Sequence, residues 1–176
     1  MSLDTRGGLL SAVEKLSSRH QVKGFKSGKH FLDLFLKRYA LRNQEFDSAR
    51  TYVVHRNDRV VGYYSLTVGS VDRADCAPGI AENMPPDYPI PVILLARLAV
   101  DRKEQGCGLG SALLKDALFR IASAAEIVGA RAVLALAIDA EAKAFYEHFE
   151  FEEFPAGTFH LMLPMKVARA CISTRG

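Results

Sequence analysis

The sequence predicts an α/β chain, α+β in detail, with a mixed central sheet flanked by helices. Three observations predict it. A strand pattern, a glycine-rich turn, a helix and a second strand follow one another over residues 92–138. That is the order of a βαβ unit, whose strands run parallel and whose crossover is right-handed. A hairpin pattern occupies 49–71, and an amphipathic helix precedes it at 30–44. With 176 residues, 49% of them apolar and 24% charged, the chain fits one domain (1–176) with enough apolar matter for a core.

Each element has its own signal. Residues 1–20 carry a loose helical pattern. In HFLDLFLKRYALRNQ (30–44), Phe31, Leu34, Phe35 and Leu41 share one face, while Lys37, Arg38 and Arg42 share another. ARTYVVHRNDRVVGYYSLTVGSV alternates as two strands around a turn at Arg56-Asn57-Asp58. CAPGIAENMPPDYPIP (76–91) holds five prolines and reads as an ordered loop. VILLARLAV (92–100) is a strand. LGSALLKDALFRIASAAEIVG (109–129) is a helix, with Leu109, Leu113, Ala117 and Ile121 recurring every fourth residue and Gly129 as its stop. AVLALAI (132–138) is a buried strand, and EAKAFYEHF (141–149) is a short helix with Asp139 as N-cap. FHLMLPM (159–165) is the last strand.

Several function classes drop out. No apolar run approaches the roughly 20 residues of a membrane-spanning helix, so no membrane association is expected. The N-terminus lacks the apolar segment of a secretion signal. Cys76, Cys107 and Cys171 are odd in number and widely spaced. They suggest neither a disulfide framework nor a metal site, and the expected compartment is the cytoplasm. Charge is uneven: residues 1–60 hold 12 Lys/Arg against 6 Asp/Glu, and residues 61–176 hold 11 against 14. The basic first third suits a polyanion partner, although from charge alone a solvated charged surface is the favoured reading.

EQGCGLGSALL (104–114) is the most informative stretch. A strand that ends in a glycine turn and opens a helix aims unpaired backbone N–H groups, and the positive end of the helix dipole, at one point. This is an anion site suited to a pyrophosphate. The dinucleotide fingerprint fails because Ser111 stands at its third glycine, and the P-loop fails because no lysine follows Gly110. What remains, Gln105-Gly106-Cys107-Gly108-Leu109-Gly110, resembles the Q/R-x-x-G-x-G/A loop of the Gcn5-related N-acetyltransferases, the GNAT family. A turn that merely packs a helix on a sheet is the plainer alternative.

The resemblance extends over roughly residues 22–165. FKSGKHFLDLFLKRYALRNQEFDSARTYVV, VVGYYSLTVGSV, LLARLAVDRKEQGCGLGSALLKDAL and AIDAEAKAFYEHFEFEEFP together are similar to the GNAT toxins of bacterial type II toxin–antitoxin pairs. That resemblance implies the GNAT fold with a splayed parallel strand pair, and acetyl-CoA as co-substrate. It implies acetyl transfer to the α-amine of aminoacyl-tRNA, which blocks translation. It also implies a ribbon-helix-helix antitoxin, a homodimer, and DNA contact only through the antitoxin complex. Its cofactor residues would be Leu98, Ala99 and Val100 on the strand and Gln105, Gly106, Cys107, Gly108, Leu109, Gly110 and Ser111 in the loop. Tyr146 would be the general acid, with packing against Phe145 and Phe149 as the plainer role.

Lys37, Arg38, Arg42 and Arg97 are candidate tRNA contacts, and Arg50, Arg56 and Arg59 flank the hairpin. Arg97 interrupts an apolar strand; it either faces the acceptor end or pairs with a buried carboxylate. Glu150 departs from the family, which has glycine there. A GNAT enzyme acting on a protein, polyamine or small-molecule amine would use the same loop and tyrosine. A DNA-binding corepressor would lack a helix-turn-helix of its own.

Overall fold

A computed structural model describes residues 7–173. Seven strands are described: β1 (Glu14–Lys15), β2 (Arg50–Arg56), β3 (Arg59–Val71), β4 (Ile90–Val100), β5 (Ala132–Leu136), β6 (Glu152–Glu153) and β7 (His160–Pro164). The α-helices are α1 (His30–Arg38), α2 (Ala40–Glu45), α3 (Pro78–Ala81), α4 (Leu109–Ala125), α5 (Ala140–His148) and α6 (Met165–Ser173). The strands hydrogen-bond in the order β1-β2-β3-β4-β5-β7-β6. β4 and β5 are parallel, while β1–β2, β2–β3, β5–β7 and β6–β7 are antiparallel. The sheet is mixed, as predicted.

Packing divides the chain into two compact units. One comprises residues up to Leu66 with Arg97–Asp116; the other comprises Thr67–Ala96 with residues from Ala117 onward. In the first unit, Leu16, Phe25, Leu32, Phe35, Tyr63 and Ala99 form a buried cluster. The Tyr63 hydroxyl is satisfied within it by donating to the Leu32 carbonyl at 2.7 Å. In the second unit, Ile80, Ile90, Val92, Ala132, Leu134 and Met162 form another. The helical period read in α4 is its burial pattern: Leu113, Ala117 and Ile121 are fully buried, with Leu114 and Leu118 beside them.

The hairpin forms as read, and its turn narrows to Asn57-Asp58. Both residues have positive φ, 50° and 65°, the conformation that two-residue hairpin turns need and that Asn and Asp tolerate. Asp139 caps α5 by accepting from the Ala142 N–H at 2.9 Å.

Other expectations are corrected. Residues 7–20 hold no helix; Glu14 and Lys15 pair with Val53 and Tyr52 of β2, and residues 1–6 lie outside the described part. The open edge of β2 supplies hydrogen-bond partners that outweigh a weak helical pattern. Tautomer-locked side chains add to this hold. His20 and His55 each accept a backbone N–H at Nδ1, from Ser17 (2.9 Å) and Asp58 (3.1 Å). Each therefore carries its proton on Nε2, which donates to Glu14 Oε1 at 2.8 and 2.7 Å.

The helix read at 30–44 breaks at Tyr39 (φ −117°) into α1 and α2. Its buried side is Leu32, Phe35 and Leu36, while Phe31 stands 59% exposed. The proline-rich stretch is not all loop. Pro78 opens α3 at the first position, where its missing N–H costs nothing, and β4 begins earlier, at Ile90. The helix read to 129 ends at Ala125, and the strand read to 138 ends at Leu136. α6 was not foreseen. No described helix is long and apolar enough to cross a membrane.

Candidate active site

β4 leads into the glycine loop. Its parallel pairing with β5 runs from Val92↔Ala132 to Leu95↔Ala135, and β4 then continues to Val100 beyond the last paired residue. Leu98 and Val100 are half-buried and Ala99 is buried. β4 carries more backbone than β5 pairs with, as a splayed pair requires.

The loop itself is exposed from Gln105 to Gly108. Gly106 and Gly108 both take left-handed backbone, φ 80° and 81°, which a side chain would strain. A Cβ at either would meet no atom within 4 Å. No neighbouring protein atom requires these glycines, so backbone conformation and access from outside do. α4 starts at Leu109, with the Ala112 N–H donating to the Gly108 carbonyl at 3.1 Å. Gly110 belongs to its first turn, where the leading N–H groups point out of the helix end toward the loop. Leu109 and Ser111, in the same turn, are half-buried, and the Cys107 thiol is exposed. The loop therefore has the conformation, exposure and dipole that fit a pyrophosphate.

The loop is held from behind by contacts the sequence did not reveal. Glu104 is buried and forms a two-pronged ion pair with buried Arg56: Nε to Oε1 at 2.9 Å and Nη2 to Oε2 at 3.2 Å. Arg56 also donates to the Gly8 carbonyl. Buried Asp101 accepts from the Lys26 and Lys103 N–H groups, both at 3.0 Å. Gln105 donates through Nε2 to the Ser27 and Val100 carbonyls, each at 2.8 Å. Its amide thus ties the loop to the end of β4, a role the motif alone does not reveal. An acid just before the glycines and an arginine inside a hairpin strand were the available signals.

The basic candidates separate. Arg56 is committed to Glu104 and is withdrawn from the tRNA candidates. Arg50 pairs with Asp47 at 2.6 Å. Lys37, Arg38 and Arg42 are exposed on α1 and α2, with the Arg42 guanidinium 5.6 Å from the Phe46 ring. Arg97 has no carboxylate partner among the described residues, against the ion-pair alternative. Its guanidinium lies 3.9 Å over the Phe35 ring.

Tyr146, on α5, is 4% exposed and packs against Phe145 and Phe151 at 5.3 and 5.4 Å. Burial pushes its phenol pKa well above the ordinary value. The phenol therefore stays neutral, and its hydroxyl has no hydrogen-bond partner among the described residues. Glu150 keeps the backbone that glycine would prefer, with φ 70°.

Comparison with known proteins decides the family. The acetyltransferase (GNAT) domain matches residues 47–153. The chain belongs to the GNAT acetyltransferase family. It is 51% identical over 162 residues to the tRNA-acetylating toxin of Mycobacterium tuberculosis (strain ATCC 25618 / H37Rv), covering 92% of this chain and 96% of that one. Among solved structures it is similar to AtaT complexed with acetyl-methionyl-tRNAfMet, at 27% identity and a TM-score of 0.83, covering 93% of this chain and 99% of that one. It is also similar to an AtaT mutant toxin bound to the C-terminus of the antitoxin AtaR and acetyl-CoA, at 27% identity and a TM-score of 0.79, covering 93% and 98%.

Proposed function

We propose that this protein is a toxin N-acetyltransferase that moves acetyl from acetyl-CoA to the α-amine of aminoacyl-tRNA. The observation that carries the substrate is the near end-to-end match, at 51% identity, to a tRNA-acetylating toxin. The geometry carries the co-substrate: left-handed, unobstructed Gly106 and Gly108 at the start of α4 fit a pyrophosphate. The end of β4 that β5 does not pair with, Leu98–Val100, would pair its backbone with the pantetheine arm.

The chemistry asks little of the protein. The amine attacks the thioester carbonyl, a backbone N–H near Val100 supports the developing oxyanion, and the thiolate leaves. Tyr146 gives that sulfur a proton and regains one as the attacking ammonium loses its own. An α-amine has a pKa of about 8, against roughly 10.4 for lysine, so about a tenth of it is neutral at pH 7, roughly two hundred times the share of a lysine, and no strong base is needed. Lys37, Arg38, Arg42 and Arg97 would meet the tRNA, the first three through phosphates, so binding should weaken steeply with salt. An antitoxin of ribbon-helix-helix type as partner, a homodimer and a cytoplasmic location complete the proposal; the AtaT toxin bound to AtaR supports the antitoxin.

The test is transfer of labelled acetyl from acetyl-CoA to a pool of charged tRNAs. Label should appear on charged tRNA alone and fall roughly 10²–10⁴-fold in Tyr146→Phe, with acetyl-CoA affinity unchanged. A Tyr146→Phe rate near wild type removes the acid role. Transfer to polyamines or peptides but not to tRNA replaces the substrate and keeps the family.

A further inference from the structure

Among the described residues, Arg97 Nε is the one side-chain nitrogen or oxygen that is itself shut off from solvent and has no hydrogen-bond partner. The rest of the group is no better supplied. Among the described residues no carboxylate pairs with it and no acceptor meets its terminal nitrogens, which, unlike Nε, are not shut off from solvent. Desolvation lowers its pKa, yet a guanidinium stays charged at physiological pH. A cation drawn partly out of water without a counter-charge is costly. The rings of Phe35, at 3.9 Å, and Phe31, at 5.3 Å, offset part of that by cation–π attraction. Phe35 is buried, but Phe31 is 59% exposed. The result is a flat cation on an aromatic floor, with a second ring open to solvent.

Such a pair matches one kind of ligand. Single-stranded nucleic acid is held by guanidinium groups on its phosphates and by rings under its bases. The acceptor end of a charged tRNA is single-stranded, and this step rests on the function proposed above. Arg38 extends the same row, against the expectation that set it on a different face from Phe31: seven residues beyond Phe31, it lies within about 20° of it around α1 and roughly 10 Å along the axis, and it is exposed. We propose that Arg97 and Phe31 form a subsite for the terminal nucleotide of the charged tRNA. The base lies against the exposed face of Phe31, and its phosphate meets the terminal N–H groups of Arg97. Both are therefore binding residues for the acceptor, separate from the loop that holds acetyl-CoA.

Steady-state acetyl transfer by the full chain tests this, with charged tRNA and acetyl-CoA varied in turn. Phe31→Ala should raise KM for charged tRNA roughly 5- to 100-fold, the range that loss of one stacked base gives. KM for acetyl-CoA should not change, and Phe31→Trp should restore the first. Arg97→Lys, which keeps the charge and loses the fork, should raise the same KM. Phe31 is exposed, so its truncation is readable even if Arg97→Lys fails to fold. A wild-type KM for charged tRNA in Phe31→Ala overturns the subsite, as does an equal rise for both substrates. Wild-type protein that transfers no acetyl to charged tRNA overturns instead the functional reading beneath it.

Discussion

Arg56, which ends β2, and Arg97, which interrupts the apolar β4, belong to the same compact unit and meet opposite fates. Arg56 is closed off: Glu104 takes two of its N–H groups and the Gly8 carbonyl a third. Arg97 is left open, stacked on Phe35 with Nε unsatisfied. In the sequence it was Arg97, inside an apolar strand, that offered itself for a buried ion pair, and Arg56 was only a basic residue flanking the hairpin. The difference teaches that a buried charge is informative by what it lacks. A fully paired one holds the chain together, whereas an unpaired one costs stability that only a ligand can return.

The largest expected effect comes from opening the closed arginine. Glu104→Ala strands the Arg56 guanidinium in the interior and should destabilise the protein by about 3–5 kcal/mol, read as a fall in urea midpoint. Replacing both residues together with apolar ones of similar volume should recover most of that loss. If Glu104→Ala proves silent, the pair does not anchor the loop.

A smaller, pH-dependent loss belongs to the third charge cluster of this unit. His20 and His55 donate to Glu14, and Arg19 pairs with it; these contacts lower its pKa, the histidine hydrogen bonds most. Stabilisation from a lowered carboxyl is present above its unfolded value and lost as pH falls through the folded one. Glu14→Gln should therefore melt below wild type at neutral pH, with the gap narrowing as the solution is taken below the ordinary carboxylate range. A gap that stays constant to acid would mean the charge contributes nothing.

The middle of the fold was legible because its signals are local. The period of Leu113, Ala117 and Ile121, the Gly106-Cys107-Gly108 turn and the Asp139 cap are each written within a few residues. The rest depends on partners distant in sequence. β1 exists because β2 has an open edge. Gln105 is tied to Ser27 and Glu104 to Arg56, links that no spacing encodes. Phe31 was grouped by periodicity with Leu34, Phe35 and Leu41, but the buried side of α1 is Leu32, Phe35 and Leu36, centred about 100° around the helix from Phe31.

Glu150 separates two reasons for keeping a costly residue. Its left-handed backbone (φ 70°) carries a strain that glycine would not, and it is exposed. Relieving it by Glu150→Gly should stabilise the protein by about 1 kcal/mol, seen as a higher melting temperature with acetyl transfer unchanged. Lower stability would show that the side chain holds the turn after α5 in some other way.

The smallest change in stability, and the one that sharpens the contrast most, is expected for Arg97→Met. The substitution removes an unsatisfied buried nitrogen, worth about 1–3 kcal/mol, and loses a cation–π contact worth roughly 0.5–2 kcal/mol. The methionine chain still covers Phe35, and the two effects nearly cancel, so the unfolding free energy read from urea titration should change by less than about 1 kcal/mol in either direction. An arginine of structural importance would instead behave as the Arg56 pair does, with a loss of several kcal/mol. A silent melt together with weakened binding of charged tRNA would place Arg97 outside the scaffold and at the substrate. A large loss of stability would make it a second anchor, and the contrast between the two arginines would collapse.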